Sequence, residues 1–403
     1  MERRRHRHRR RLPSLERHLL PARHLHPAVG ERDHPARERI GERGRRVLGR
    51  LTIGRSPVTV VVVTHASAEL VGPVLDALEE DPEGPREVVV VDSASPDDTL
   101  AVLERHDVRV IACTENVGFA RGCNLGAAEA TQPYVAFLGH DTIPEPGWLP
   151  PLLDALRFPG VGAAMATIAD LEAPDRFNTS GGHLGFHGLA WVSDLGEPID
   201  DPDAAPVEVP FPSGAAMALR LETWRRFEGF REDLFMYGED VDLGWLLRLA
   251  GLRSVRVPTS RVRHHYDFAR SPKKLYWIER NRRRLLATNW RTPTRWILAP
   301  ALTLVDLGVG VVALRDGWFR AWWAAHRDRP TPTEAAAAAT RVARLRVRGD
   351  APLLATMSSG ISTAAQVRPP RGSRLVDRIL DAYRRAVLPL VRWLDRRAGF
   401  VED

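Results

Sequence analysis

The chain has 403 residues, 44% of them hydrophobic and 27% charged, which is ordinary for a globular protein with one large domain and additional segments. Its two cysteines, Cys113 and Cys123, are too few for a disulfide scaffold and lack the spacing of a zinc site, which favours a reducing compartment. The formal net charge of +7 indicates an anionic partner, which could be nucleic acid, acidic lipid headgroups or a phosphorylated substrate.

Residues 1–54 are crowded with arginine, histidine and proline and show little apolar periodicity. Such a segment cannot bury enough apolar surface to offset its conformational entropy, so we predict a disordered basic tail. It lacks the apolar core of a signal peptide. A solvated or membrane-touching tail, an incorrectly assigned start codon and a nucleic-acid-binding tail all stay open.

From Pro57 onwards the sequence alternates between predicted strands and helices. Val58–Val63 and Glu87–Val91 are valine-rich runs, typical of strands that are buried on both faces. The other predicted elements of this region are helices at 69–80, 97–106 and 118–130 and strands at 108–112 and 134–138. This alternation predicts an α/β fold, in which a mainly parallel sheet is joined by right-handed crossovers.

Polar residues follow each predicted strand. In open parallel sheets, ligands bind beyond the carboxyl ends of the strands, so these positions are the first candidates for a binding site. They are Thr64-His65, Asp92-Ser93, Glu115-Asn116 and His140-Asp141.

The C-terminal part, which begins with a basic helix predicted at 272–289, combines apolar and amphipathic segments. Residues 296–314 are almost wholly apolar and just long enough to cross a bilayer, although Asp306 and Pro300 disfavour a span. The arginine- and tryptophan-rich sequence that follows favours a helix in the membrane interface, and a buried helix pair is a further alternative. We therefore predict three segments: apolar, Trp-rich and possibly membrane-associated helices over 291–330, a linker over 331–373, and an amphipathic helix over 374–400 that serves as a second anchor or a dimer contact.

Two of the clusters suit nucleotide binding. Asp92 directly follows four valines, where a carboxylate can accept a hydrogen bond from a base or a ribose, whereas Ser95 and Asp97 suit a turn and a helix N-cap. The glycines of segment 116–126 would let backbone approach phosphate at a helix N-terminus, and Arg121 adds a charged donor. Taken alone, such a loop often only packs.

Other clusters suit metal binding and acid–base chemistry. Asp141 follows a strand, and its oxygens suit Mg²⁺ or Mn²⁺ when diphosphate oxygens complete the shell. Glu239, Asp240 and Asp242 lie amid apolar neighbours, which is costly unless they are exposed, paired or catalytic. An imidazole of His264-His265 could add a ligand if Asp141 lies nearby.

Taken in order, these clusters resemble glycosyltransferase family 2, and within it the bacterial rhamnosyltransferase-like branch. The matching motifs are Val63-Thr64-His65, the Asp-rich turn from Asp92 to Asp98, the segment from Asn116 to Asn124, and Tyr237 to Asp242. The resemblance covers roughly residues 57–290 and implies a GT-A catalytic domain over 55–290. It departs at Gly139, because the family's metal motif usually has Asp or Asn there.

The resemblance implies inverting transfer of a sugar from a nucleotide donor to a hydroxyl of a cell-wall, polysaccharide or glycolipid acceptor, with dTDP-rhamnose as the first choice of donor. Asp240 would be the general base, and Glu239 and Asp242 would orient the acceptor or the base. Asp141 would bind Mg²⁺ or Mn²⁺ together with His265, in preference to His264. The donor-binding residues would be Thr64, His65, Glu69, Asp92, Ser93, Asn116, Gly118, Arg121, Asn124 and His140.

It further implies a cytoplasmic enzyme, peripheral at the inner face of the cell membrane, that uses a saccharide or lipid-linked acceptor. A homodimer is an option, and nucleic acid is not expected because the core has no recognised nucleic-acid motif. A sugar nucleotidyltransferase is an alternative, but it normally needs a glycine-rich basic loop where Thr64-His65-Ala66-Ser67 stands. An inactive GT-A-fold binding protein is favoured by Gly139 and disfavoured by the carboxylates at 239–242.

Overall fold

The computed structural model describes residues 54–199, 204–265, 271–361 and 372–400, so the predicted tail lies outside the described residues except for Gly54. The strands are β1 (Ser56–Thr64), β2 (Pro85–Asp92), β3 (Arg109–Ala112), β4 (Tyr134–Gly139), β5 (Thr142–Pro144), β6 (Val161–Asp170), β7 (Phe177–Thr179), β8 (Gly182–Leu184), β9 (Ala190–Val192), β10 (Val207–Val209), β11 (Ala216–Arg220) and β12 (Arg253–His264). The helices are α1 (Val71–Glu80), α2 (Thr99–Leu103), α3 (Gly118–Ala128), α4 (Leu149–Leu156), α5 (Leu221–Arg226), α6 (Glu239–Leu249), α7 (Pro272–Asn289), α8 (Thr292–Arg315), α9 (Phe319–Arg327), α10 (Pro332–Leu345), α11 (Ala351–Thr356) and α12 (Ser373–Arg397).

A ten-stranded sheet forms the centre of the fold. Its main path runs β3-β2-β1-β4-β11-β6-β12-β10, with β5 paired to β12 and β7 paired to β6. Strands β1 to β4 are mutually parallel, β11 is antiparallel to β4 and β6, and β6 and β12 are parallel to each other. The predicted α/β class with a mainly parallel sheet and flanking helices is confirmed.

The valine run of β1 lies at the centre of the core because both faces of the strand are covered. Val60 and Val62 are fully buried, and helix α3 packs against the same strand. A Cβ at Gly122 would lie 2.7 Å from Val63 Cγ1, and one at Gly126 would lie 2.4 Å from Val61 Cγ1. These two glycines of the predicted phosphate-binding segment therefore bring α3 close to the sheet.

The segment 331–373 differs from the predicted linker, because its described part contains α10 and α11. Helix α10 begins with a capping box, in which Thr331 and Glu334 exchange side-chain and backbone hydrogen bonds. Its Val342 and Leu345 side chains are buried in the core. The sequence between 332 and 356 is therefore an integral layer of the molecule.

Candidate active site

The carboxyl ends of three parallel strands meet at one edge of the sheet. Thr64 pairs in register with Asp92, and Val63 pairs with Gly139, so the residues after β1, β2 and β4 are neighbours. The candidate residues that follow these three strands therefore lie side by side.

Asp92 closes the turn that follows β2. Its buried carboxylate accepts hydrogen bonds from Thr64 Oγ1 at 3.0 Å, Ser95 Oγ at 2.5 Å and the Ser95 backbone N–H at 3.1 Å. Both carboxylate oxygens of Asp92 therefore accept hydrogen bonds from other residues of the protein. Turn formation accounts for Asp92, and a contact with the donor base stays a prediction.

Ser93 connects the turns that follow β1, β2 and β3. Its Oγ accepts a hydrogen bond from the Val117 backbone N–H at 2.8 Å and lies 3.2 Å from Asn116 Oδ1. The same Asn116 oxygen accepts from the Gly118 N–H at 3.0 Å, and His65 Nδ1 lies 2.9 Å from the Ser93 carbonyl. This network fixes the edge of the cleft and leaves the side chains of His65 and Asn116 exposed.

The other predicted donor-binding side chains lie around this edge. His140 Nδ1 is 3.2 Å from the Val63 carbonyl. The half-exposed Arg121 guanidinium lies 3.7 Å from Glu115 and 3.9 Å from Glu232, and Glu69 is exposed. Their donor contacts stay predictions.

Asp141 and His264 form the group that could hold a metal. His264 Nε2 lies 3.3 Å from Asp141 Oδ1, and its Nδ1 lies 3.2 Å from Asn178 Oδ1. The preference for His265 is therefore corrected: its side chain is exposed, and only its backbone N–H contacts Asp141, donating to the carbonyl at 2.9 Å. His264 is the last residue of β12, whereas His265 lies beyond the end of the strand.

The chemistry of this pair fits a divalent cation. Burial alone would raise the pKa of Asp141, but the hydrogen bond and charge of His264, with a contribution from His140, lower it, so the carboxylate is ionised and can act as a ligand. Asn178 Oδ1 can accept a hydrogen bond from the far nitrogen of the His264 ring and thereby orient the ring, as carboxylates and carbonyls do for metal-ligating histidines. Binding of a cation would replace the present hydrogen bond, because His264 Nε2 must be unprotonated to act as a ligand.

Gly139 makes room for Asp141. A Cβ at this position would lie 2.6 Å from both Asp141 Oδ1 and Thr142 Oγ1. An aspartate or asparagine at position 139, as the family motif usually has, would therefore displace the Asp141 side chain from its present position. Gly139, which stands where the family motif usually has Asp or Asn, therefore leaves the space that the Asp141 side chain needs in its present orientation.

Helix α6 begins at the paired carboxylates Glu239 and Asp240. The half-buried Asp240 accepts hydrogen bonds from the Gly214 backbone N–H at 3.3 Å and the Val241 N–H at 2.8 Å, and burial raises its pKa. Glu239 is only 6% exposed, and its buried Oε2 has no hydrogen-bond partner among the described residues. Burial and the neighbouring charge of Asp240 raise the pKa of Glu239 well above its ordinary value.

Asp242 faces away from this group. It is 1% exposed, and its two oxygens are taken by Asn289 Nδ2 at 3.0 Å and Arg341 Nη1 at 3.2 Å. Two residues correspond to about 200° around a helix, so Asp240 and Asp242 cannot share a face. The expectation that Asp242 orients the acceptor or the base is corrected to a buried ion pair with helix α10.

One short segment connects the Asp240 end of the site to the Asp141 end. The Gly214 N–H donates to Asp240, and the next carbonyl, that of Ala215, accepts from the Gly139 N–H at 2.9 Å. Both ends of the cleft are thus fixed by Ser213–Ala215, immediately before β11. The arrangement places the half-buried Asp240 and the Asp141–His264 pair on one supported edge.

Comparison with known proteins decides the family. The model of glycosyl transferase family 2 matches residues 59–220. The chain is 30% identical over 278 residues to N-acetylglucosaminyl-diphospho-decaprenol L-rhamnosyltransferase of Mycobacterium tuberculosis, covering 61% of this chain and 90% of that relative. The chain belongs to glycosyltransferase family 2. It is a glycosyltransferase with the GT-A fold, and the predicted family is confirmed.

Two further proteins are similar to this glycosyltransferase. Pre-mycofactocin glycosyltransferase of Mycobacterium tuberculosis is 31% identical over 211 residues, which cover 52% of this chain and 43% of that relative. The crystal structure of GalNAc-T7 with UDP, GalNAc and Mn²⁺ is 17% identical with a TM-score of 0.49, and the match covers 59% of this chain and 48% of that chain.

Two residues of the motif from Asn116 to Asn124 contact the loop that leads into α6. The Asn124 side chain donates to the Phe230 carbonyl at 2.9 Å and accepts from the Phe230 N–H at 2.8 Å. Gly118 has a φ of +75°, and a Cβ there would lie 2.5 Å from the Phe235 ring. Asn124 and Gly118 therefore support the loop that leads into α6, and their contact with the donor stays a prediction.

Asn281 on α7 is a functional candidate that the sequence reasoning missed. Its Nδ2 lies within hydrogen-bond distance of the carbonyls of Leu234, Met236 and Tyr237, at 2.8, 2.9 and 2.6 Å. Phe235 and Tyr237 have φ values of +63° and +66°, which are unfavourable for bulky side chains. Asn281 therefore holds a strained loop directly before Glu239 and Asp240, and helix α7 positions the end of the site that carries them.

Proposed function

We propose that this glycosyltransferase transfers rhamnose from dTDP-rhamnose to a hydroxyl of a lipid-linked saccharide, with inversion at the anomeric carbon. The donor sugar and the acceptor class are supported by the relative whose name specifies rhamnosyl transfer to N-acetylglucosaminyl-diphospho-decaprenol and which this chain covers over 90% of its length. Family 2 membership supports inversion.

The observation that carries the proposal is the half-buried carboxylate of Asp240, held by Gly214 on the same segment that supports Gly139 and the Asp141 end of the cleft. Burial raises the pKa of Asp240, which makes its carboxylate a stronger base. Asp240 takes the proton of the acceptor hydroxyl while that oxygen bonds to the anomeric carbon. The bond from this carbon to the nucleotide diphosphate breaks on the opposite face, and the diphosphate leaves with the electron pair.

Asp141 and His264 are the residues that would hold the divalent cation. The cation would neutralise negative charge on the diphosphate of the donor. An imidazole ligand favours Mn²⁺ over Mg²⁺, which prefers oxygen ligands.

The compartment is proposed from the thiols and the acceptor. Cys123 is buried, and burial raises the pKa of its thiol well above the ordinary value, while Cys113 is half-buried and also free. Free thiols suit a reducing cytoplasm. A lipid-linked acceptor would place the reaction at the inner face of the cell membrane. A homodimer stays a prediction.

The test is turnover of dTDP-, UDP- and GDP-sugars with a short-chain lipid-diphosphate N-acetylglucosamine acceptor. We expect consumption of dTDP-rhamnose with Mn²⁺, weaker consumption with Mg²⁺, and loss with a chelator. The same lipid diphosphate without the sugar is the control and should not be glycosylated. Turnover of another donor would contradict the rhamnose assignment alone, whereas failure to bind any donor would overturn the proposed function.

A further inference from the structure

Helix α8 presents a continuous uncharged strip to solvent. We call its outward-facing residues the α8 strip: Trp296, Pro300, Leu304, Leu307, Val311 and Leu314. The exposed fractions of Trp296, Leu307 and Val311 are 75%, 62% and 64%, which is unusual for large apolar side chains. The helix has 24 residues and is long and apolar enough to cross a membrane by length and composition.

The opposite face of α8 is fixed to the protein. Leu298, Ala301 and Val305 are buried in the core. Asp306 accepts hydrogen bonds from Arg282 and Arg283 of α7, at 2.7 Å in the case of Arg283. A helix with one face held in this way cannot be surrounded by lipid, so only its outer strip is available to a membrane.

Helix α12 presents two parallel strips. The α12 apolar strip consists of Leu375, Ile379, Ala382, Ala386, Leu390 and Trp393, all exposed. Beside it lies the arginine strip, which consists of Arg374, Arg378, Arg385, Arg392 and Arg396, also exposed. Of the acidic residues of α12, Asp395 is buried and binds Arg291 at 2.7 Å, and Asp377 accepts from the Ile361 N–H at 2.6 Å. Asp381 is partly exposed and pairs with Arg384 at 2.9 Å and with Arg385 of the arginine strip at 2.7 Å.

The α8 strip and the α12 apolar strip adjoin. The two helices pack together, and Tyr383 Oη donates to the Ile297 carbonyl at 2.5 Å. At 100° per residue, Ile297 borders the α8 strip and Tyr383 borders the α12 apolar strip. The contact between the helices is therefore a seam with an exposed apolar strip on each side.

We infer that these three strips together form a face that lies in the plane of an anionic membrane surface. The apolar side chains would enter the boundary between headgroups and acyl chains, and the arginine strip would contact acidic headgroups, as in other interfacial helices. The exposed arginines give this face a positive charge, which complements an anionic membrane surface. This docking is independent of the proposed donor and acceptor.

The test is flotation of the full chain with vesicles of phosphatidylcholine containing phosphatidylglycerol, and with phosphatidylcholine alone. We expect binding to the anionic vesicles only. Leu307→Glu with Val311→Glu, and separately Ile379→Glu with Leu390→Glu, should each reduce binding about tenfold or more. The matched control is Leu100→Glu with Val110→Glu, which changes two exposed apolar residues of α2 and β3 and should bind like the wild type.

The double substitution Arg378→Gln with Arg396→Gln alters only exposed side chains, so it keeps the test valid if an apolar pair fails to fold. It should also weaken binding to the anionic vesicles.

The inference is overturned if the wild type does not float, or if the face variants bind like the control, which would assign binding to another region such as the basic tail. Light scattering that shows a wild-type dimer converted to monomers by the face variants would assign the face to a second copy. Resistance of the protein in cell membranes to alkaline carbonate extraction would indicate a spanning α8.

Discussion

At the residue scale, Glu239 and Asp240 are adjacent carboxylates with different surroundings. Asp240 accepts two backbone hydrogen bonds, whereas Glu239 Oε2 is buried without a partner among the residues that the structure describes. This difference supports the proposal that Asp240, and not Glu239, acts as the base. Burial and the charge of Asp240 raise the pKa of Glu239, which favours its neutral form.

Glu239→Gln is expected to become more stable, relative to the wild type, as pH rises. A carboxyl whose pKa is raised by folding favours the folded state below its ordinary pKa and loses that contribution as pH rises through the raised value. The amide of the variant cannot ionise. The free energy of unfolding of the variant, relative to that of the wild type, should therefore rise by at least about 1 kcal/mol between about pH 4 and about pH 8. Urea unfolding at both pH values measures the difference. A difference that is constant, or that falls with rising pH, would contradict an elevated pKa of Glu239.

Gly139→Asp is expected to impair metal use although it restores the usual family residue. The new Cβ would lie 2.6 Å from Asp141 Oδ1, so the ligand must move. The Mn²⁺ concentration for half-maximal activity should rise about tenfold or more. Gly139→Ala adds the same Cβ without charge and should show a similar direction of change. Tighter Mn²⁺ binding by Gly139→Asp would refute the steric explanation.

At the element scale, α7 and α10 hold the segments around α6. Asn281 and Arg280 of α7 bind backbone carbonyls of the loop before α6. Arg341 of α10 binds Asp242 and also the carbonyls of Phe227 and Gly229, at 2.9 Å in the case of Phe227. The orientation of Asp240 thus depends on helices that lie far along the chain.

Loss of Arg341 should leave the Asp242 charge buried without a cation. Arg341→Met is expected to destabilise the fold by about 3–5 kcal/mol. Asp242→Leu combined with Arg341→Met should cost less than the sum of the single changes, with a coupling of at least about 1 kcal/mol. Denaturant unfolding of the four proteins gives this cycle. Strictly additive effects would show that the two side chains do not stabilise each other.

Local sequence patterns were enough to predict strands β1 to β4 and helix α7. The valine runs of β1 and β2 and the helix at Pro272–Asn289 are encoded by residues close in sequence. The partners of Asp242 and of the loop at 234–237 were not predictable in this way, because Arg341 and Asn281 are distant in sequence. The choice between His264 and His265 was not predictable from local sequence either, because it depends on which side chain lies beside Asp141, a residue distant in sequence.

At the scale of the whole molecule, the predicted boundary between a catalytic domain at 55–290 and the C-terminal helices is crossed by buried contacts. Asp306 binds Arg282 and Arg283, and Arg341 binds Asp242. Leu298 and Val305 of α8 are buried in the same core cluster as residues of the central sheet. The helices after residue 290 therefore complete the core that begins before it.

A chain limited to residues 55–290 is expected not to fold cooperatively. It would lack Arg341, which pairs with Asp242, and Asp306, which pairs with Arg282, and it would expose apolar surface normally covered by α8 and α10. Thermal unfolding and size-exclusion chromatography compare it with a chain of residues 55–403. Equal melting temperatures would show that 55–290 is an independent domain.

The most direct test of the account compares sugar transfer by the wild type, Asp240→Asn and Glu239→Gln, with donor binding measured on the same samples. Each substitution replaces a carboxyl group by an amide at adjacent positions. The account predicts that Asp240→Asn loses about 10²–10⁴-fold in transfer rate while still binding the donor, and that Glu239→Gln keeps most of its activity. Near-wild-type transfer by Asp240→Asn, or loss of transfer confined to Glu239→Gln, would contradict the assignment of Asp240 as the base.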